Sequence, residues 1–164
     1  MPDGDIDDEP ARALAREIAS RSITHVGPPL PRFDGDIRVS SFKPSRVSPA
    51  EELSDPVATL ERALRKHFGG RLHFARDGGT PDGGGPVIAC TFNAFFDETQ
   101  ARALPALLGD RGVLCALRSP YDATLARHNA VLLTYCDVPV SLEALAAVLA
   151  GERKPTGQLP VSMP

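Results

Sequence analysis

The sequence predicts an α/β fold: a three-layer sandwich in which helices cover both faces of a doubly wound, mainly parallel sheet of five to six strands. Three observations predict it. Segments with helical periodicity alternate with short apolar segments along the chain. The apolar segments are nearly continuous, as in strands that are covered on both faces. The chain has 164 residues, whereas a (β/α)₈ barrel needs about 250, so the sequence predicts no TIM barrel.

The amino-terminal part of the chain predicts a helix, a connection and a strand. Apolar residues at i, i+3, i+4 and i+7 predict an amphipathic helix around residues 11–18. Three prolines between residues 28 and 31 cannot continue a helix, and residues 37–42 alternate as a strand does. We expect an acidic tail, this helix and the connection, residues 1–36, to pack on a domain formed by residues 37–164.

The next helix has two candidate starts. Residues 48–51 have the letters of a capping box, with proline at the first helical position. Asp55 and Pro56 offer a second start, and both remain open. Gly69 is a natural end of the helix. One apolar face is predicted for it, formed by Val57, Leu60, Leu64 and Phe68.

The rest of the chain continues the alternation. Strands are predicted at residues 72–75, 86–92, 112–117 and 130–135, and helices at 97–108 and 141–150. The pattern of residues 120–129 is too weak to assign. Helical crossovers between parallel strands are right-handed, so the predicted order of elements is typical of a flavodoxin-like sheet.

Charge and cysteine content exclude several classes of protein. There are 18 basic and 21 acidic residues, with the basic ones scattered, which does not favour a nucleic-acid or membrane partner. No apolar run reaches the length of about 18 residues that suggests a membrane span, and the acidic start is unlike a signal peptide. Cys90, Cys115 and Cys136 stand apart, which indicates neither disulfides nor a zinc site. We therefore expect buried thiols, a cytoplasmic location, and no metal or cofactor.

Two further features are weak candidates for a site. The glycine-rich segment 78–85 precedes a predicted strand instead of following one, so it is predicted to be a connection and not a phosphate loop. None of the four histidines is paired at metal-binding spacing. His128, in a loop before a strand, has the most site-like position of the four.

Acidic residues follow several predicted strands. Asp97, Glu98, Asp122 and Asp137 all come after the carboxyl ends of strands, where ligands of open parallel sheets bind. Glycoside cleavage uses two carboxylates placed across the scissile bond. The alternative is that Asp97 caps a helix and Asp137 lies in a turn, and this alternative is favoured for both.

The most distinctive local segment is Arg118-Ser119-Pro120-Tyr121-Asp122. It leaves a strand through a turn that proline constrains. One interpretation is a structural corner, with Arg118 paired to Asp122 and Tyr121 packed. The other is direct contact with a substrate or a partner. The candidate contact residues are Arg118, Ser119, Tyr121, Asp122 and His128, and none of them is predicted to be catalytic.

At this segment the sequence resembles a known family. Residues 113–164 are similar to the C-terminal α/β sandwich domain of family 3 glycoside hydrolases, most of all to the two-domain bacterial β-N-acetylglucosaminidases. The similarity lies in five segments, 117–122, 133–135, 141–145, 149–152 and 155–162. Weaker, collinear similarity is found at residues 19–24, 30–31 and 92–94. Gln158 stands where arginine is common in the family.

The resemblance implies a role beside a barrel. In this family the barrel binds the sugar and supplies the nucleophile, and in this branch a barrel loop also supplies the acid/base. The chain is thus expected to lack hydrolytic activity alone, and to support a barrel or complete its site through residues 118–122. The partners implied are a TIM-barrel glycosidase domain or a second copy of the chain, together with a sugar ligand.

Two other functions are weighed against this one. The chain could be a stand-alone carbohydrate-binding or protein-interaction module that uses the crevice at the strand ends or the barrel-facing surface. A phosphoacceptor or another independent flavodoxin-like enzyme is disfavoured, because no acidic cluster follows the first predicted strand at Lys43, Pro44 and Ser45.

Overall fold

A six-stranded sheet organises the chain. The fold is seen in a computed structural model, which describes residues 8–44, 55–160 and 162. The strand order is β1-β6-β5-β4-β2-β3, and only the pairing of β1 with β6 is antiparallel. The strands are β1 (Thr24–Val26), β2 (Ile37–Ser41), β3 (Leu72–Arg76), β4 (Val87–Thr91), β5 (Val113–Ala116) and β6 (Ala130–Leu133).

Helices cover both faces of this sheet. They are α1 (Glu9–Ser22), α2 (Pro56–Phe68), α3 (Glu98–Leu108) and α4 (Pro139–Leu149), with 3₁₀ helices at Gly69–Arg71, Ala94–Phe96 and Pro120–Ala126. The crossover through α2 moves toward β3, and those after β4 move the opposite way. Right-handed crossovers therefore place α2 and α3 on opposite faces. Helix α4 packs with both α1 and α2, and Pro120–Ala126 packs with α3. The predicted three-layer sandwich is confirmed.

The second helix forms as its sequence pattern predicts. The predicted apolar face is buried against the sheet and α4. Asp55 caps α2, because its carboxylate accepts a hydrogen bond of 2.9 Å from the Ala58 amide. Gly69 ends the helix with a φ of 56°. The alternative start at residues 48–51 lies outside the described residues, as does the acidic tail up to residue 7.

The first helix differs from its prediction in the face that it buries. Leu14 and Ile18 were expected to face the core, but they are 57% and 59% exposed. The face that packs toward α4 centres on Ala19, which is 5% exposed. The small side chain of alanine allows a close approach of two helices, so packing outweighs the more hydrophobic stripe here.

Strand β1 was missed in the sequence analysis, which predicted no strand before residue 37. Its three residues are too few for a periodic signal, and it forms because β6 offers an unpaired edge. The Gly157 amide donates to the Ile23 carbonyl at 2.9 Å on the far side of β1. A Cβ at Gly157 would lie 2.2 Å from the Ser22 carbonyl oxygen, so only glycine fits. The predicted domain boundary after residue 36 stays a prediction.

Two of the three cysteines are buried, as predicted. Cys90 and Cys115 are neighbours on β4 and β5 and are fully buried. A hydrogen bond with Cys90, together with burial, raises the pKa of Cys115, which disfavours a nucleophilic thiolate. The expectation was wrong for Cys136, which is only partly buried and lies 3.1 Å from the Ser141 hydroxyl. None of the helices in the described ranges is long and apolar enough to cross a membrane.

Candidate functional site

The carboxyl ends of β4, β5 and β6 meet at one edge of the sheet. Because these strands are parallel neighbours, the segments that leave them, residues 92–97, 117–122 and 134–138, lie side by side. The order of connection reverses between β2 and β4, and ligands of open α/β sheets bind beside such a reversal, beyond the strand ends. We call this region the carboxyl edge.

Asp122 is the buried centre of the carboxyl edge. Its side chain is 0% exposed and accepts three hydrogen bonds. The Thr91 hydroxyl donates at 2.7 Å, the Ala94 amide at 3.0 Å and the Phe95 amide at 2.9 Å. Burial raises the pKa of Asp122 above its ordinary value, and these hydrogen bonds oppose the shift. Asp122 therefore ties the 3₁₀ helix after β5 to the turn after β4.

The turn after β4 is fixed at a second point by Gln100 of α3. The Gln100 carboxamide accepts from the Phe92 amide and donates to the Phe92 carbonyl, both at 2.9 Å. Asn93, which follows, adopts a left-handed conformation with a φ of 57°. Asn tolerates this conformation better than most residues. The chain then turns so that Ala94 points inward and the next two residues point outward.

Three aromatic side chains stand out from this edge. Phe95, Phe96 and Tyr121 are 46%, 74% and 37% exposed, and we call them the aromatic surface. The rings of Phe95 and Phe96 meet edge to face with centroids 5.1 Å apart. Tyr121 lies 5.8 Å from Phe95. Val138, at the start of α4, is another exposed apolar residue of the same edge.

Arg118 pairs with Asp137 and not with Asp122, so that part of the sequence interpretation was wrong. Two guanidinium nitrogens of Arg118 lie 3.0 and 2.9 Å from one carboxylate oxygen of Asp137. Both side chains are about one fifth exposed, and the guanidinium lies 5.9 Å from the centre of the Phe92 ring. The expected turn residue Asp137 is thus half of a partly buried ion pair.

The segment after β6 is also held internally. Tyr135 has a φ of 62° and donates its hydroxyl to that of Thr24 at 2.8 Å. The neighbouring Thr134 hydroxyl contacts the carbonyls of Leu117 and Cys136 at 2.9 Å. These contacts join the segments after β5 and β6 to the edge strand β1.

The remaining predicted contact residues are divided between two edges. Ser119 is buried at the carboxyl edge, where its hydroxyl accepts from the Tyr121 amide at 3.3 Å and caps Pro120–Ala126. His128 is exposed and lies two residues before the start of β6, so it is at the amino edge of the sheet. The structure therefore brings Arg118, Ser119, Tyr121 and Asp122 together, and His128 lies apart from them.

The carboxylates of this edge are engaged with the protein. Asp97 caps α3, as predicted, by accepting from the amides of Thr99 and Gln100. Asp122 is buried and Asp137 is paired with Arg118. Glu98 is on the surface with Arg102 at 2.8 Å. Glycoside cleavage needs one carboxylate as an acid and another as a base or nucleophile. The described residues of this edge offer no such pair, but they offer apolar contact beside an ion pair.

Phe95 and Phe96 are the site residues that sequence reasoning missed. Their signal was the pair of adjacent phenylalanines just after a buried strand. The direction of their side chains depends on the turn at Asn93, which no periodic pattern in the sequence indicates. A cavity of about 420 Å³ lies elsewhere, at the amino edge, lined in part by Arg38, Gly85, Leu108 and Arg111.

Comparison with known proteins places the fold among large enzymes. No protein-family model and no curated protein matches the sequence. The fold is similar to part of a fungal multi-domain family 3 β-N-acetylglucosaminidase, with a TM-score of 0.75 and 25% identity over 95% of this chain. It is also similar to part of a family 3 β-N-acetylglucosaminidase from Paenibacillus sp. str. FPU-7, with a TM-score of 0.76 and 22% identity over 98% of this chain.

A third similar structure is the β-glucoside phosphorylase BglX, with a TM-score of 0.67 and 15% identity over 96% of this chain. The chain spans only 19%, 34% and 32% of these three proteins, in that order. The part that is matched is a sandwich, since the described residues form an open sheet and no barrel. The predicted resemblance to the C-terminal, non-barrel domain of family 3 glycoside hydrolases is confirmed.

Proposed function

We propose that this chain acts as the non-barrel domain of a β-N-acetylglucosaminidase-like family 3 glycoside hydrolase in carbohydrate or cell-wall sugar metabolism. It supports a TIM-barrel domain, and its carboxyl edge completes the barrel's active site. One observation carries this proposal. The carboxylates of the edge are turned inward or paired, whereas aromatic side chains are turned outward. Such a surface suits contact with another domain and does not suit hydrolysis by the chain alone.

The composition of the edge supports contact with a protein domain. Interface centres are enriched in aromatic residues and arginine and are surrounded by polar groups. The aromatic surface has the first property, and the ion pair of Arg118 with Asp137 supplies polar groups on the same edge. A cytoplasmic location is part of the proposal, and the three free cysteines support it.

Activity assays test the proposal directly. The purified chain is expected to release no nitrophenol from p-nitrophenyl N-acetyl-β-glucosaminide. When it is co-expressed with a separately encoded barrel domain of a family 3 β-N-acetylglucosaminidase, it is expected to co-purify with the barrel and raise its turnover. Phe96→Ala should weaken both effects. Robust turnover by the chain alone that disappears in Asp122→Ala would overturn the proposal.

The second candidate is a stand-alone binding module, for which the same exposed aromatic rings are the supporting observation. Aromatic faces stack against the C–H faces of pyranose rings, and exposed apolar surface also promotes self-association. Size-exclusion chromatography with light scattering separates these cases from the first. A monomer that binds neither chito-oligosaccharides nor a second copy excludes the module and leaves the barrel-supporting role.

A further inference from the structure

Asp122 is an acidic side chain that is completely buried. A carboxylate that is removed from water costs free energy unless a cation or several donors compensate it. Among the described residues no cation is paired with Asp122, because the nearby Arg118 is engaged with Asp137. A buried apolar side chain would fill the same volume without this cost, but it would leave the Thr91 hydroxyl and two backbone amides without an acceptor. The stabilisation of the buried Asp122 carboxylate therefore comes from its three hydrogen-bond donors.

All three donors belong to one short piece of chain. Thr91 is the last residue of β4, and Ala94 and Phe95 lie in the 3₁₀ helix that follows it. The carboxylate offers only acceptors, so one side chain can satisfy a hydroxyl and two amides at once. The residues that it fixes lie on both sides of Asn93, whose left-handed conformation turns the chain outward.

Gln100 provides a comparison, because its hydrogen bonds hold only the end of β4. Its neutral carboxamide satisfies both backbone groups of Phe92 and so holds the end of β4 against α3. Asp122 acts further along the chain, at the two residues that bear or directly precede the aromatic side chains. Its contacts thus determine the orientation of the turn more than the existence of the strand.

We infer that Asp122 is a positioning residue, which fixes the turn after β4 so that Phe95 and Phe96 are held in place before a partner domain binds. The inference rests on the proposed function and adds the residue that organises the contact surface. A surface that is already ordered does not lose the side-chain and loop entropy that binding otherwise costs. Asp122 itself touches no partner, since it is completely buried.

Amide hydrogen exchange in the isolated chain tests this inference. In Asp122→Asn, an NH₂ group replaces either the oxygen that accepts from Phe95 or the oxygen that accepts from Thr91 and Ala94, so at least one of the Ala94 and Phe95 amides should exchange at least about tenfold faster. The Leu114 and Leu132 amides, in the neighbouring strands β5 and β6, serve as the reference. If all four amides accelerate by the same factor, or if none does, Asp122 is an ordinary stabilising residue and the inference is wrong.

Variants of Thr91 keep the test valid if Asp122→Asn does not fold. Thr91→Val removes one donor while preserving shape, and it should accelerate the Phe95 amide, because the carboxylate loses its anchor on β4. Thr91→Ser retains the hydroxyl and should behave like the natural chain. Equal exchange in these two variants would contradict the inference.

Tyrosine fluorescence reports the aromatic surface itself. The sequence contains no Trp and two Tyr, so a Tyr135→Phe background isolates Tyr121. Acrylamide should quench Tyr121 more strongly when Asp122→Asn is added, because Phe95 no longer shields one side of its ring. Unchanged quenching would show that the surface does not depend on Asp122.

The inference and the proposed function fail in different ways. If Phe96→Ala weakens barrel activation and Asp122→Asn does not, the function stands and the positioning role is wrong. If neither variant changes activation but exchange at Ala94 or Phe95 accelerates selectively, the positioning role stands and the proposed function is wrong.

Discussion

The two edges of the sheet both contain a buried or half-buried charged side chain that binds a connecting segment. At the carboxyl edge, Asp122 accepts from Thr91, Ala94 and Phe95. At the amino edge, the Arg38 guanidinium donates to the carbonyls of Pro81, Asp82 and Gly85, at 2.6 to 3.2 Å. The chemistry is comparable, with one side chain satisfying several backbone groups.

The segments that are held differ in what they expose. The connection held by Arg38 is rich in glycine, and its neighbourhood exposes no large apolar side chain among the described residues. The turn held by Asp122 exposes Phe95 and Phe96. A side chain that only closes a loop, as Arg38 does, does not require exposed apolar residues. Exposed aromatic rings add little to the stability of the fold, so the second arrangement favours our proposal that another molecule covers this surface.

The largest expected effect is that of Asp122→Ala. It leaves a hydroxyl and two amides without acceptors in a buried place, so we expect the free energy of unfolding to fall by about 3 kcal/mol or more. Urea denaturation measures this fall in the free energy of unfolding. A fall of less than 1 kcal/mol would show that water or a shift of the turn satisfies the donors, and would remove the contrast between the edges.

Arg38→Ala is the matched change at the amino edge. The carbonyls of Asp82 and Gly85 belong to exposed residues and regain water when the guanidinium is removed, so that among the three bound residues only Pro81 is buried. The free energy of unfolding is therefore expected to fall by only about 1 kcal/mol. Urea denaturation again measures the free energy of unfolding. If this variant loses as much stability as Asp122→Ala, the two edges do not differ in the way described above.

The pH dependence of stability isolates the charge of Asp122. Since burial raises the pKa of Asp122 above 3.8, the folded state binds this proton more tightly than the unfolded chain does. This contribution to stability is thus complete below pH 3.8 and is lost as the pH rises through the folded-state pKa. In urea denaturation across the acidic range, the free energy of unfolding of the natural chain minus that of Asp122→Asn should fall with increasing pH. A difference that rises instead would contradict the burial argument.

Glu61 provides a control of opposite sign. Burial raises its pKa, but hydrogen bonds from Arg76 and Arg65 outweigh burial and lower it. The contribution of Glu61 is present above its unfolded-state pKa and is lost as the pH falls through the folded-state pKa. The difference between the natural chain and Glu61→Gln should therefore rise with pH, in contrast to the difference for Asp122→Asn.

The smallest effect on stability is expected for Phe96→Ser. The side chain is 74% exposed, so the free energy of unfolding should change by no more than about 0.5 kcal/mol. Its effect should appear in barrel activation or in self-association. Leu14→Ser, on α1, is a control with similar exposure of an apolar residue, 57%. If both variants affect association equally, apolar exposure in general is responsible and the aromatic surface has no special role.

Much of the candidate site could be placed from sequence, because parallel strands align their carboxyl ends. The positions of Asp97, Asp122 and Asp137 followed from this rule. The pairing of Arg118 did not, since the competing carboxylates are 4 and 19 positions away in sequence and their distances depend on the packing of the loops. His128 was wrongly grouped with the contact residues for a similar reason, because its position also depends on the path of a loop. The 3₁₀ helix Pro120–Ala126 spans the sheet and brings the following residues to the opposite edge.

Sequence alone was enough to predict the periodic elements, the parallel sheet, the capping of α3 by Asp97, and the family that the carboxyl-terminal third resembles. These features depend on contacts between residues close in the chain or on side-chain patterns repeated within one element. The three-dimensional packing was needed to show that β1 joins the sheet, that Leu14 faces solvent, and which groups Asp122 holds. Those outcomes depend on distances between segments remote in sequence, where burial, hydrogen bonding and helix packing compete and no local pattern records the result.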